Sequence, residues 1–277
     1  MTAVLLALGA SLTWGFADFG AGLAARRTTA HVAAAGAQLS GLVLVGIVVL
    51  ATGEAFPSAR QAAWAVFAGV AAVVGLSAFY RALSVGTMGI VGPITATGAI
   101  VPLAFGLARG EHPDALQGAG VALAIVGVIA ASLERVPEGR RLGRGVGLAC
   151  VAAFSFGWSL VGLSRAAPGG VAWGILLMRV TAVPLVGVLA LLVTPRGGLS
   201  RWGWIGLAAV GVGDAGATLL YGAASTRGLL SLVAVLSSLY PIVIVVLGRI
   251  VLAERVSHMQ LSGVAVALAG VALISAG

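Results

Sequence analysis

Gly120-Val-Ala-Leu-Ala-Ile-Val-Gly-Val128 and Gly263-Val-Ala-Val-Ala-Leu-Ala-Gly-Val271 are one stretch written twice, with Gly, Val, Ala, Ala, Gly and Val in common. Aligning them sets Glu111 on Glu254, and the match extends outward. Gly89-Ile-Val-Gly92 before Val101-Pro102 falls over Gly228-Leu-Leu-Ser231 before Tyr240-Pro241, with the stretch from Pro to Glu four residues shorter in the first copy. Trp14-Gly15-Phe16 falls over Phe156-Gly157-Trp158. The chain reads as a tandem duplication jointed between Pro137 and Gly143, with residues 1–136 and 137–277 as its two units.

Composition decides the solvent. Of 277 residues 60% are hydrophobic and 9% charged, and the mean hydropathy is +1.12, which leaves too little polar surface to cover a globule. Apolar runs of about 20 residues, enough to cross a hydrocarbon core, recur from end to end. The first run, Ala3 to Ala25, lacks a basic leader and exceeds the apolar core of a signal peptide, so it is expected to stay as a helix. A multi-pass membrane protein is expected, with the lipid bilayer as its main partner.

Ten helices are predicted: Ala3–Ala25, His31–Thr52, Gln61–Ser84, Gly89–Ala108, Leu116–Leu133, Gly143–Leu163, Val171–Val193, Trp202–Ser225, Leu229–Val251 and Leu261–Ala276. The fold class is all-α, since the runs are continuous and show no barrel-like alternation. Five helices per copy is an odd number, so the second copy enters the membrane from the side opposite the first and the repeats are inverted. Pro93, Pro102, Pro184 and Pro241 each remove a main-chain donor and are expected to kink their helices. The 42 glycines suit lipid-embedded helices that touch through small residues. Gly120, Ala124 and Gly127, or Gly263, Ala267 and Gly270, make seams for packing within one chain or, alternatively, for a homodimer through helices five and ten.

Sixteen Arg and no Lys stand against eight acids, a net charge of +8, with most Arg at the ends of apolar runs, where they anchor helices at anionic headgroups. No basic patch is interleaved with aromatics, so no nucleic-acid partner is expected. Most Arg fall on the side opposite the N-terminus, so the positive-inside rule places both termini outside. Cys150, inside an apolar run, is expected to be buried filler.

Charges inside a span cost at least about 2.5 kcal/mol each, so they mark partners or a cavity. Arg179 and Asp214, mid-span in the seventh and eighth helices, are expected to pair. Asp18 on the first helix is expected to pair with Arg81 at the end of the third. Gly211, Asp214, Thr218 and Tyr221 fall on one face of the eighth helix and read as a cavity wall; the structural alternative is that Asp214 merely locks Arg179. Gln38 is a deep hydrogen-bonding side chain, a substrate contact or interhelical glue. Trp14, Tyr80, Trp158 and Tyr240 are aromatic candidates for lining a pocket, though membrane aromatics more often pack or anchor. Glu111 and Glu254 sit at the starts of helices five and ten, where a carboxylate suits the helix dipole. His31, His112 and His258 fall at helix boundaries and form no metal motif. No nucleotide, hydrolase or metalloprotease motif occurs, so neither a cofactor nor catalysis is expected, and a gradient must supply the energy.

These residues resemble the drug/metabolite transporter superfamily and, within it, the ten-helix EamA-type carriers. The resemblance rests on Trp14-Gly15 in the first helix, Pro102 and Pro241 late in the fourth and ninth, and Glu111 and Glu254 each followed by Gly-x-x-x-x-x-x-Gly. It spans essentially the whole chain, apart from the short link between Pro102 and Glu111, which predicts a shorter or broken fourth helix. The resemblance implies two EamA-like five-helix repeats, 1–136 and 137–277, in a bacterial inner membrane with cytoplasmic termini, opposite to the charge rule. It also implies secondary transport of a small metabolite outward, often an amino acid or related compound. A zwitterion suits Asp18, Gln38 and Arg81 from one copy and Arg179, Asp214 and Tyr221 from the other, its carboxylate toward Arg and its amine toward Asp or an aromatic face. The other classes considered are an intramembrane enzyme on lipid-linked substrates, which needs clustered catalytic groups at one interface, and a non-transporting scaffold, which has no use for mid-membrane charge.

Overall fold

The computed structural model describes residues 1–25, 27–85, 91, 94–132, 145–192, 199–253 and 257–277, without the side chains of Ala25, Ala30, Tyr80, Leu83 and Ser84. The described residues form ten helices: α1 (Thr2–Ala25), α2 (Ala30–Thr52), α3 (Ala59–Val85), α4 (Ile94–Ala108), α5 (Ala115–Ser132), α6 (Val146–Ala166), α7 (Val171–Leu191), α8 (Arg201–Ser225), α9 (Leu230–Val251) and α10 (His258–Ala276). Nine are long and apolar enough to cross a membrane, and α4 is a shorter apolar helix. Leu5, Leu12 and Phe16 on α1 and Val43, Ile47 and Leu50 on α2 face outward. An apolar surface of this kind is stable in lipid and not in water. The protein is all-α and multi-pass, as its composition requires.

Local chemistry sets the helix ends. Ser58, Asp114 and Ser257 each precede a helix with Gln three residues on. In each the Gln side-chain oxygen accepts the N–H of the capping residue, whose own oxygen accepts the Gln N–H. Asp114 and Ser257 are related by the 143-residue shift that sets Glu111 on Glu254. At the end of α4, Gly110 takes φ 88°, Glu111 N–H bonds to Gly106 O and Gly110 N–H to Leu107 O. That is a Schellman turn, and it swings Glu111 away from its own helix axis.

The small-residue seams of α5 and α10 lie against each other within the chain, and the two helices run antiparallel. A Cβ on Gly120 would meet Gly270 O at 2.7 Å and Ile274 N at 2.8 Å; one on Gly270 would meet Ala124 N at 2.5 Å and Gly120 O at 2.6 Å. Gly127 abuts Ala267 and Gly263 abuts Ala131. The contacts come in pairs: Gly127 with Ala267 becomes Ala124 with Gly270 on exchanging the copies, and Gly120 with Ile274 becomes Ala131 with Gly263. With lipid on all sides, helices gain little from hiding apolar surface, so this close packing supplies the attraction.

Most of the larger cross-half contacts also survive exchange of the copies. α1 packs on α8 and α6 on α3; α2 packs on α8 and α7 on α3; and α2 on α7 and α4 on α9 are each contacts between equivalent helices. Both α4 and α9 are interrupted one turn before their aligned prolines. Thr97–Ala99 tightens to a 3-10 turn ahead of Pro102, and α9 breaks between Leu230–Ser237 and Tyr240–Val251, ahead of Pro241. Each proline leaves the carbonyl four residues earlier without its helical donor. The one freed by Pro102, Gly98 O, faces Gly157 of α6, where a Cβ would collide. Helix α7 continues through Pro184, and Pro93 and Glu254 lie outside the described residues. Cys150 is exposed on α6, not buried as its apolar surroundings suggested, because apolar runs in lipid turn one face outward.

Candidate functional site

The mid-span charges of α7 and α8 meet. Arg179, 3% exposed, donates from Nη2 to Asp214 Oδ2 and from Nη1 to Gln38 Oε1, both at 2.6 Å. Asp214 Oδ1 accepts the indole N–H of Trp14 at 3.1 Å. Two glycines make room. A Cβ on Gly41 would meet Arg179 Nη1 at 2.6 Å and Gly211 O at 2.8 Å, and Gly211 lets α8 press on the main chain of α2 at Ala37. The expected Arg179–Asp214 ion pair is therefore the centre of a four-residue network drawn from α1, α2, α7 and α8. Asp214 stays one-third open (34% exposed) while Arg179 is sealed.

The rest of the α8 stripe is closed. Thr218 is buried and donates to Asp214 O at 2.7 Å, and Tyr221 is fully buried with its hydroxyl donating to Leu160 O at 3.1 Å. The Tyr221 ring rests 5.9 Å from that of Trp14, so both shape the wall behind Asp214.

Asp18 does not meet Arg81. At about 100° per residue it lies between Trp14 and Gly15 around α1, opposite the lipid-facing Leu5, Leu12 and Phe16. Trp14 reaches α8, and Gly15 abuts Val243 of α9. Asp18 thus faces α8 and α9, where it is accessible, one turn along α1 from the Trp14 that Asp214 holds. Arg81 is exposed on α3, which packs on α6 and α7 instead. Tyr80 lies on α3, with its side chain outside the described set. Trp158 stands among Phe67, Phe105 and Phe154, with ring centroids at 6.0, 5.9 and 6.1 Å.

Gln38 as the second partner of Arg179 was open to detection from sequence. The two are 141 residues apart, between the 139-residue shift of Gly89 onto Gly228 and the 143-residue shift of Glu111 onto Glu254. They occupy nearly equivalent positions where equivalent helices cross. The network itself is one-sided: Phe156, aligned with Trp14, has no hydrogen-bonding group to offer and lies against Gly75 of α3.

A ten-helix membrane protein with a buried ion-pair network at the junction of two like halves is the class these features define. The chain belongs to the EamA-like transporter family, whose model matches residues 1–133 and again 143–276. It is by that membership a transporter and not an enzyme. No curated protein matches it. A solved crystal structure of a protein 19% identical to it superposes with a TM-score of 0.82 over 98% of this chain and 95% of that one, a likeness of fold.

Proposed function

We propose that the protein is a secondary transporter that exports a small amine-bearing metabolite, an amino acid or related compound, across the cell's inner membrane by alternating access. Its working units are two inverted five-helix repeats, 1–136 and 137–277. The observation that carries the reading is the network of Trp14, Gln38, Arg179 and Asp214, which joins both halves at mid-span and leaves one carboxylate accessible. Intramembrane ionisable groups are retained chiefly on substrate and ion pathways. The inversion is supported by the antiparallel run of the equivalent helices α5 and α10 and by contacts that exchange with the copies. Breaks at matching places in α4 and α9 are of the kind that line midplane sites in transporters built from repeats. Because the α5 and α10 seams are occupied within the chain, a homodimer through these helices would have to use their outer faces.

The test is uptake of labelled amino acids and amines into proteoliposomes, with and without a pH gradient, for wild type and Asp214→Asn. Flux that depends on Asp214 is expected. Absence of flux for the whole panel would sink the substrate class, and undiminished flux in the variant would remove Asp214 from the site.

A further inference from the structure

We infer that the site selects a monovalent organic cation and has no place for a substrate carboxylate, so that the amine of the substrate is met by Asp18 with Asp214 behind it. The inference rests on the transport reading above and narrows its substrate. Three observations carry it. First, Arg179 is already spent: its terminal nitrogens are held by Gln38 and Asp214, and its Nε is buried without a partner among the described residues. At 3% exposure no edge of the guanidinium can receive an incoming carboxylate. Second, Asp18 stands one turn along α1 from Trp14, whose indole N–H is held by Asp214, so the side of α1 that faces α8 and α9 presents two carboxylates, and Arg179 is bonded to only one of them. Asp18 accepts no hydrogen bond from any described side chain. Third, Asp18 is accessible on the inward face of its helix, with Trp14 one turn before it and, on α9, Tyr240 one turn before the Val243 that Gly15 abuts. A carboxylate with no partner among the described residues, flanked by aromatic rings, is the chemistry that recognises an ammonium group. A zwitterion brings no net charge to offset Asp18 and carries a carboxylate that both aspartates repel.

A matched set of aromatic probes isolates charge from shape: phenethylamine at +1, phenylalanine at 0 and phenylacetate at −1. Binding to the detergent-solubilised full-length protein is measured by ligand-induced thermal shift, and flux by counterflow in proteoliposomes. Phenethylamine is expected to bind at least about tenfold more tightly than phenylalanine, with phenylacetate weaker still. Asp18→Asn should abolish that preference and Asp18→Glu restore it, with gel filtration establishing that each variant is folded. Equal or tighter binding of phenylalanine, or a cation preference that survives Asp18→Asn, overturns the inference. Flux of phenylalanine in that case leaves the transport reading standing, whereas absence of binding and flux for all three probes counts against both.

Discussion

Glu111 Oε1 accepts the main-chain N–H of Leu230 at 2.8 Å, and Oε2 accepts that of Ser231 at 2.8 Å. The loop that closes α4 in the first half thereby caps α9 in the second. Two N–H groups that a helix start leaves without acceptors are satisfied by one carboxylate, with the sign the dipole favours. The Schellman turn at Gly110 aims the side chain, and Gly106 gives it room.

Glu111→Gln keeps one acceptor and turns an amide donor toward an N–H. It should destabilise by about 1–3 kcal/mol, as for a buried donor left unmatched. Hydrogen exchange at Leu230 and Ser231 should quicken and the melting temperature in detergent fall. Unchanged protection at both amides would show that α9 does not depend on this cap.

Arg179 and Asp214 should be strongly coupled. Replacing Asp214 by Asn alone leaves a guanidinium that is 3% exposed with no counter-charge, a loss on the order of 3–5 kcal/mol for a fully buried pair and toward the low end here because Asp214 is one-third open. The double variant Arg179→Met with Asp214→Asn should recover much of it. Thermal unfolding of wild type, both single variants and the double variant measures the coupling, and strictly additive losses would refute it.

How much of this was readable beforehand depends on the range of each interaction. Arg179 and Asp214 could be paired from sequence because lipid offers a buried charge so few alternatives. The breaks in α4 and α9 were signalled by Pro102 and Pro241, since a missing N–H acts within one turn. Depth and opposite charge alone point Asp18 to Arg81, yet its neighbours follow from which helices pack, and α1 packs on α8 and α9. By sequence alone Glu111 belongs to the helix that follows it. Asp114 takes that role through Gln117, and a loop carboxylate reaches whichever helix start the tertiary fold brings near. Sequence separation carries no record of that.

The α5–α10 seam has no slack. Gly270→Ala places a methyl 2.5 Å from Ala124 N and 2.6 Å from Gly120 O, both main-chain atoms. The helices must separate, at a cost of about 1–3 kcal/mol typical of overpacking. Gly206→Ala on α8 meets nothing within 4 Å and should be neutral or stabilising by up to about 1 kcal/mol from helix propensity. The melting temperature is expected to fall for Gly270→Ala and to hold or rise for Gly206→Ala. A Gly270→Ala protein as stable as wild type would mean that the seam is looser than described.

The inverted arrangement makes a prediction about sides. Ser58 and Ser200 cap α3 and α8, and they are separated by the same 142 residues as Trp14 and Phe156, so the residues that follow them, Ala59 and Arg201, are equivalent in the two copies. Both are exposed first residues of their helices. If each copy crosses the membrane five times, equivalent positions fall on opposite faces; in a parallel duplication they would share one. In a Cys150→Ser background, Ala59→Cys and Arg201→Cys can each be challenged with a membrane-impermeant maleimide on intact cells and after permeabilisation. One of the two should react on intact cells and the other only once the membrane is opened. Which one reacts also fixes the orientation of the termini, because the α2–α3 loop lies on the same side as the N-terminus when two helices precede it. Labelling of both from one side would remove the inverted repeat and with it the case for alternating access between equivalent halves.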